Sequence, residues 1–193
     1  MSNADREKWD GKYHGKSVPQ VLAPNPWLIE SVSDLAAGRC LDLACGLGHD
    51  AIWLAQQGWS VDAVDISPKG LRLASKFADQ HNVRVNWIAA DLDEFAVSEN
   101  QYQLVTVFRF LDRTHLPSLV ERALAPGGLL IYETFSFRQL DRDDSHIKNP
   151  AFVLQPEEFK SLYANLEVIE YAEVELPDRS VARLLAKRPA TCE

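Results

Sequence analysis

The stretch Cys40-Leu41-Asp42-Leu43-Ala44-Cys45-Gly46-Leu47-Gly48-His49-Asp50 decides the fold. It reads as a short apolar strand with an acid, then a pair of glycines, then the start of a helix. Glycines at such a turn let a ligand approach the backbone closely, because no Cβ stands in the way. The helix N-terminus behind them offers unpaired N–H groups to an anionic group. The stretch therefore predicts a nucleotide-type pocket at the carboxyl end of a first strand.

Two classes of ligand compete for this turn. Gly46-x-Gly48-x-x-Ala51 fits the dinucleotide pattern, with Asp65 as the acidic partner of a ribose. However, Asp42 lies four residues before the first glycine, where a carboxylate suits a ligand with a positively charged amino group. A second acid, Asp91, ends a third strand pattern, and Pro126-Gly127-Gly128 introduces a fifth. These neighbours favour a ligand with a cationic group over a dinucleotide.

Four short motifs, taken in order, resemble those of class I S-adenosylmethionine-dependent methyltransferases. They are Asp42-x-Ala44-Cys45-Gly46-x-Gly48, Val64-Asp65-Ile66-Ser67, Ala90-Asp91-Leu92 and Leu124-Ala125-Pro126-Gly127-Gly128. The opening Lys8-Trp9-Asp10-Gly11-Lys12-Tyr13 resembles the N-terminal segment of the branch that includes tellurite-resistance and thiopurine methyltransferases. The resemblance implies S-adenosylmethionine as the cofactor, S-adenosylhomocysteine as its product, and a small-molecule acceptor.

Apolar periodicity predicts alternating strands and helices, which is typical of a parallel sheet covered by helices on both faces. The predicted helices are residues 27–37, 50–57, 69–80 and the stripe 116–124, with Thr114 as the N-cap of the last, and a further helix starts near Gln155. The predicted strands are residues 39–44, 59–65, 83–89, 102–108, 129–134, 166–176 and 180–187. The last two are separated by a turn alone, which predicts an antiparallel hairpin. The fold class is therefore α/β, a doubly wound, mostly parallel seven-stranded sheet that ends in a hairpin.

Length and composition predict one domain over residues 1–193. Within it, residues 1–38 form an N-terminal lid and helix, residues 39–135 the cofactor-binding core, and residues 136–193 a substrate-side loop and the hairpin. Residues 135–154 show no strong periodicity, which is typical of a functional loop.

Net charge and residue usage restrict the partners. The formal net charge is −8 and basic residues do not cluster, which argues against a nucleic-acid partner. No apolar run is long enough for a membrane span. The three cysteines lack metal spacing and the five histidines are scattered, so we expect no metal site and a reducing cytoplasm. We expect a monomer or a weak homodimer acting on a small molecule.

The resemblance also assigns roles to single residues. Asp65 would accept hydrogen bonds from the ribose hydroxyls and Asp91 from the adenine amine, and Asp42 would face the amino group directly or through water. Leu92 would pack on the base, and Ile66 is a further cofactor-binding candidate. The remaining cofactor-binding candidates are Trp9, Tyr13, Ala44, Cys45, Gly46, Gly48, His49 and Phe108. Trp9 and Tyr13 either close over the cofactor or pack the N-terminal segment onto the core. His49 replaces a basic residue common in the tellurite-resistance branch, and either holds the cofactor carboxylate or lies on the helix surface. Cys45 is expected to be a small packing residue rather than a nucleophile.

Candidates on the substrate side follow the fourth strand or lie in the irregular loop. They are Arg109, Arg113, His115 and His146, with Glu133 and Phe135 overlooking the pocket from the fifth strand. Arg113 and His115 either point at the substrate or only support the next helix. Two rival functions stay open: a nicotinamide-dependent oxidoreductase domain, and a protein that binds S-adenosylmethionine without turning it over.

Overall fold

The computed structural model describes residues 3–190, so Cys192, the last of the three cysteines, lies outside the described residues. The chain groups into two compact units, Met1–Ser98 and Glu99–Glu193. The division of the chain into a single domain with three segments therefore stays a prediction.

The first unit holds three parallel strands and four helices. In chain order they are α1 (Asn3–Tyr13), α2 (Pro26–Val32), β1 (Arg39–Leu43), α3 (His49–Gln56), β2 (Ser60–Asp65), α4 (Pro68–Gln80) and β3 (Asn86–Ala89). The strand order is β3-β2-β1, with Asp42 opposite Ala63 and Asp65 opposite Ala89. The carboxyl ends of all three strands therefore lie at one edge, which is where sheets of this kind bind ligands.

The second unit holds four strands and two helices. In chain order they are β4 (Tyr102–Phe108), α5 (Leu116–Ala123), β5 (Leu124–Phe135), α6 (Glu158–Leu162), β6 (Glu167–Leu176) and β7 (Arg179–Lys187). The strand order is β4-β5-β7-β6; β4 and β5 are parallel, whereas β7 is antiparallel to both of its neighbours. Two 3-10 helices, Phe137–Asp141 and Pro150–Phe152, occupy the segment predicted to be irregular.

The parallel strands and helices of the first unit, and the mixed strands of the second with their terminal hairpin, confirm the predicted α/β class. Several boundaries differ. The first predicted helix ends at Val32 rather than at residue 37, because Ser33 and Leu35 turn back onto the carbonyls of Glu30 and Val32. The third strand begins at Asn86 rather than at residue 83, and the fifth begins at Leu124 rather than at residue 129.

The prediction that Thr114 caps α5 is wrong. Asp112 supplies the cap instead: its Oδ1 accepts the backbone N–H groups of Thr114, His115 and Leu116 at 2.6–3.0 Å, and His115 is the N-cap residue. A carboxylate is a stronger acceptor than a hydroxyl, so it outcompetes Thr114 for these donors. In residues 3–190 we find no helix that combines the length and apolar character needed to cross a membrane.

Candidate functional site

The turn after β1 has the backbone that the glycines predict. Ala44, Gly46 and Gly48 have φ of +56°, +58° and +73°, all in the left-handed region. The turn is closed by Cys45 N–H donating to Val64 O at 3.1 Å and by Gly48 N–H donating to Cys45 O at 2.9 Å. A non-glycine residue such as Ala44 is uncommon there, and such strain concentrates at binding sites.

Gly48 lies against an aromatic side chain that sequence reasoning missed. A Cβ built on Gly48 would lie 2.3 Å from Cη2 and 2.7 Å from Cζ3 of Trp87, on β3. Trp87 in turn packs against the buried cluster of Ile52, Phe77 and Ala78. The missing side chain at position 48 is therefore needed for packing as well as for backbone conformation. Nothing in the local sequence around residue 48 indicates this contact.

Asp65 is the acid that joins the second motif to the glycine turn. It is 8% exposed. Its Oδ2 accepts Gly46 N–H at 2.8 Å and its Oδ1 accepts Ser67 N–H at 2.9 Å. Burial raises the pKa of this carboxyl group, and the two N–H donors oppose the shift only in part. Each oxygen keeps a second lone pair, so the carboxylate can still accept hydroxyl hydrogens.

The other two predicted acids lie at the same edge of the first unit. Asp42 is 2% exposed, on β1. Asp91 is half-buried just beyond β3, and its Oδ1 accepts Asp93 N–H at 3.0 Å. Ala90 N–H donates to Asp65 O at 3.1 Å, which brings the third motif beside the second. The structure thus assembles the three acids around the turn; their roles toward a ligand stay predictions.

The apolar candidates and the cysteine are packing residues of this edge. Ile66 and Leu92 are each 4% exposed. Desolvation of the Cys45 thiol, followed by the charges of Asp42 and Asp65, raises its pKa well above the ordinary value. A thiol that stays protonated is a poor nucleophile. This supports the reading of Cys45 as a packing residue.

His49 has structural contacts of its own. Its Nδ1 accepts Ala23 N–H at 3.2 Å, and its ring meets Phe77 edge-on with centroids 5.2 Å apart. The next residue, Asp50, accepts Asn25 N–H at 2.6 Å. These contacts hold the segment before α2 onto α3. They favour the helix-surface reading of His49 over a role in holding a cofactor carboxylate.

The two aromatic candidates of α1, Tyr13 and Trp9, have different neighbours. Tyr13 reaches the glycine turn: a Cβ on Gly46 would lie 3.1 Å from its hydroxyl oxygen, and a Cβ on Gly70 would lie 2.9 Å from its ring. Trp9 is half-buried, with its ring 6.3 Å from that of Tyr13 and Lys12 Nζ 4.3 Å above its centroid. Tyr13 therefore covers the turn, and Trp9 supports Tyr13.

In the second unit, the end of β4 carries a strained cationic residue. Phe108 is 7% exposed. Arg109 follows it with φ of +58°, an exposed side chain, and an N–H that donates to Glu133 O at 2.8 Å. A long side chain in the left-handed region is held there by its surroundings, as is common at functional sites. Arg109 keeps its place as a substrate-side candidate.

Arg113 is occupied by structural contacts. Its Nε and Nη2 donate to the two carboxylate oxygens of Glu158, and its Nη1 and Nη2 donate to the carbonyls of Ala151 and Val153 at 3.0 and 2.8 Å. The side chain thereby ties the start of α5 to α6 and to the second 3-10 helix. These contacts favour support over catalysis. His115 and His146 are both exposed, and a catalytic role for either stays a prediction.

We expect Arg113→Ala to lower the free energy of unfolding by about 1.5–3 kcal/mol, because Glu158 loses charge-assisted hydrogen bonds. S-adenosylhomocysteine affinity should stay within about twofold. Urea unfolding and calorimetric titration measure the two effects. Arg109→Ala is the contrast, since its exposed side chain should contribute less than about 0.5 kcal/mol to stability. Normal stability in Arg113→Ala would contradict the structural reading.

Glu133, the predicted pocket residue of β5, has a structural partner. It is 2% exposed and pairs with Arg183 across β5 and β7, where Arg183 Nε donates to Glu133 Oε2 at 2.7 Å. The ion pair explains how a carboxylate can be buried in a central strand. The sequence did not reveal Arg183 as a partner of Glu133, because the predicted hairpin did not specify that β7 also pairs with β5.

The chain resembles known methyltransferases in sequence. Residues 40–128 match the protein family described as a methyltransferase domain. The ubiquinone biosynthesis O-methyltransferase of Bordetella avium (strain 197N) is 31% identical over 137 residues, which is 66% of this chain and 56% of that protein. A probable S-adenosyl-L-methionine-dependent methyltransferase TehB of Haemophilus influenzae is 25% identical over 153 residues, covering 76% of this chain and 52% of that protein. The chain thus spans about half the length of these curated relatives.

The fold has close counterparts among solved structures. The structure named "Conversion of a Disulfide Bond into a Thioacetal Group during Echinomycin Biosynthesis" superposes with a TM-score of 0.80. The superposition covers 98% of this chain and 94% of that one, at 20% identity. At that identity the likeness concerns the fold alone.

Proposed function

We propose that this protein is an S-adenosylmethionine-dependent methyltransferase that transfers a methyl group to a small-molecule acceptor. The match of residues 40–128 to a methyltransferase domain supports the proposal, as does the 25% identity to a probable S-adenosyl-L-methionine-dependent methyltransferase TehB. The acceptor classes that we propose are a thiol, a thiopurine-like heterocycle, or an oxidised tellurium or selenium species. Transfer proceeds by in-line displacement at the methyl carbon.

The observation that carries the proposal is the hydrogen bond from Gly46 N–H to Asp65 Oδ2, at 2.8 Å. It fixes the acid of the second motif beside the glycine turn of the first. The Asp65 carboxylate, which suits a ribose diol, then lies beside the backbone of the glycine turn, which suits the rest of the ligand. Asp42 lies on the strand that leads into the same turn. Its carboxylate suits a ligand with an amino group and would not favour a pyrophosphate.

The residues of this edge fit S-adenosylmethionine. Left-handed Gly46 and Gly48 keep side chains out of the turn, and Asp65 keeps accepting capacity despite its two N–H partners. In the proposal Asp65 holds the ribose hydroxyls, Asp91 the adenine amine and Asp42 the methionyl amino group. Ala44 and Cys45 provide backbone beside the methionyl part, and Ile66 and Leu92 support the base.

When bound, S-adenosylmethionine supplies a methyl group on a sulfonium, which is already an activated leaving group. The task left to the protein is to align the acceptor with that methyl group, since orientation alone provides a large share of rate enhancement. Tyr13, over the turn, keeps water from the methionyl side. Arg109 offers a positive charge to an anionic acceptor. Thiolates and reduced chalcogen anions arrive deprotonated, so the protein needs no general base for them.

The first experiment is calorimetric titration of the purified protein with S-adenosylhomocysteine, with NAD⁺ and NADH as controls. Micromolar binding of S-adenosylhomocysteine alone is the expected result. Binding of a nicotinamide nucleotide instead would overturn the proposal in favour of an oxidoreductase domain. Incubation with methyl-labelled S-adenosylmethionine and thiol, thiopurine, selenium, tellurium and phenol acceptors then tests turnover. Tight binding without labelled product from any acceptor would favour a non-catalytic binding protein.

We expect Asp65→Ala to weaken S-adenosylhomocysteine binding by about 1.5–3 kcal/mol, the contribution of hydrogen bonds to a charged acceptor. Glu99→Ala, an exposed acid of the second unit, is the charge-matched control and should bind normally. Unchanged affinity in Asp65→Ala would remove this residue from the site.

The raised pKa of Asp65 also predicts a pH dependence. Affinity for S-adenosylhomocysteine should fall on acidification through that pKa, which lies above the ordinary value of 3.8, because only the ionised carboxylate accepts both hydroxyl hydrogens. Folding stability changes in the opposite sense: this group's contribution is fully present below 3.8 and is lost as the pH rises through the raised pKa. In Asp65→Asn this component of the affinity profile should be absent.

A further inference from the structure

The N-terminal helix is tied to α4 through one carboxylate. Asp10 Oδ1 accepts the Ser67 hydroxyl at 2.5 Å and the Lys69 N–H at 3.1 Å. Ser67 is itself the N-cap of α4, where its Oγ accepts Gly70 N–H at 3.0 Å. Asp10 therefore lies at the positive end of the α4 dipole, where a carboxylate is stabilised. We call the contact of Asp10 with Ser67 and Lys69 the latch. Because Ser67 follows Asp65 by two residues, the latch adjoins the predicted ribose site.

The latch sets the position of Tyr13. Residues three apart lie on the same face of a helix, so Asp10 and Tyr13 both face α4. With Asp10 fixed on the first turn of α4, the Tyr13 ring lies against Gly70 and its hydroxyl lies over Gly46. Because no side chain of α1 is fully buried, apolar packing alone does little to hold this helix.

The segment that follows α1 is fixed as well. Val18 and Leu22 pack against the Ile52–Phe77–Ala78 cluster, and Ala23 N–H donates to His49. Residues 3–25 therefore cross the glycine turn with an anchor at each end. The Asp10 anchor depends on one carboxylate, and it is the nearer of the two to Tyr13 along the chain.

We propose that Asp10 is a positioning residue for the cofactor: it holds α1 on the N-terminus of α4 so that the Tyr13 hydroxyl covers the methionyl side of the site. This inference rests on the proposed function for the identity of the ligand. The latch itself is a contact between two helices, so it can be measured without any ligand.

The negative charge of Asp10, taken alone, would weaken ligand binding at Asp65, which is the opposite of the positioning role. Burial is the main cause of the raised pKa of Asp65, and the negative charge of Asp10 adds to it. Removing the Asp10 charge should therefore favour ionised Asp65 and strengthen its hold on ribose hydroxyls. A loss of affinity on removing Asp10 consequently reports lost positioning and not lost charge.

The test compares Asp10→Ala, Asp10→Asn and the matched control Glu7→Ala, an exposed acid of the same helix. S-adenosylhomocysteine and adenosine are the titrants, because adenosine lacks the methionyl part. Asp10→Ala should bind S-adenosylhomocysteine about tenfold more weakly, because Tyr13 is no longer held over the methionyl side, and adenosine within about threefold of the wild type. Asp10→Asn keeps an oxygen acceptor and should recover most of the affinity, while Glu7→Ala should match the wild type.

Amide hydrogen exchange of residues 3–13, without ligand, tests the latch separately. Protection should fall in Asp10→Ala and persist in Glu7→Ala. Equal loss of affinity for both titrants, or none, would overturn the positioning role, and unchanged protection would overturn the latch. If the wild-type protein fails to bind S-adenosylhomocysteine, the proposed function fails, while the exchange experiment still decides whether Asp10 holds α1.

Discussion

Gly48→Ala is expected to destabilise the protein by about 2–5 kcal/mol and to abolish detectable binding of S-adenosylhomocysteine. About 1–2 kcal/mol comes from placing a Cβ at φ of +73°. Overpacking against Trp87, whose ring atom would lie 2.3 Å from the new Cβ, contributes about 1–3 kcal/mol more. The new methyl group pushes the turn and the Trp87 ring apart, so we expect the ligand site at the turn to be distorted as well. Urea unfolding and calorimetric titration measure the two effects.

Gly58→Ala is the matched control, because it isolates the backbone contribution. Gly58 has φ of +89°, and its Cβ would meet Ala37 at an ordinary 3.8 Å. Its cost should be about 1–2 kcal/mol, with ligand affinity preserved. Trp87→Leu in the Gly48→Ala background should recover part of the lost stability by making room. Equal costs in Gly48→Ala and Gly58→Ala, without recovery in the double variant, would show that contact with Trp87 is unimportant.

Arg183→Met is expected to lower the free energy of unfolding by about 3–5 kcal/mol, because it leaves the Glu133 carboxylate buried without its charged partner. Glu133 is 2% exposed, and its neighbour across β5 and β7 is Arg183 itself. The structure thus assigns to Glu133 a role in sheet stability, although it lies near the strand end that faces a predicted pocket. Chemical unfolding of the variant measures the loss.

Two further variants test the role of the buried ion pair. Glu133→Gln combined with Arg183→Met removes both charges and should recover much of the stability, since the uncompensated charge is the main cost. Arg138→Met removes a guanidinium from an exposed pair with Glu173 and Glu175 at 3.3–3.6 Å, and should change stability by less than about 1 kcal/mol. A loss in Arg183→Met no larger than that in Arg138→Met would contradict the buried-pair interpretation.

The sequence by itself determined the features that depend on local chemistry. The glycine turn follows from residues whose backbone must be left-handed, and φ of +58° and +73° at Gly46 and Gly48 confirms it. Strand and helix alternation follows from apolar periodicity, and the hairpin of β6 and β7 from two strand patterns separated by a turn alone. The gathering of Asp42, Asp65 and Asp91 at one edge follows from parallel strands, whose carboxyl ends must lie side by side.

Only the tertiary structure decided which polar residues serve packing and which stay available. Arg113 with Glu158, Glu133 with Arg183, and Asp10 with Ser67 join residues 45 to 57 positions apart, and Gly48 meets Trp87 across the sheet. Periodicity describes the face on which a residue lies, but not the partner that this face will meet. A buried charge is stable only with its specific partner, so the role of each such residue is fixed when the elements pack and not before.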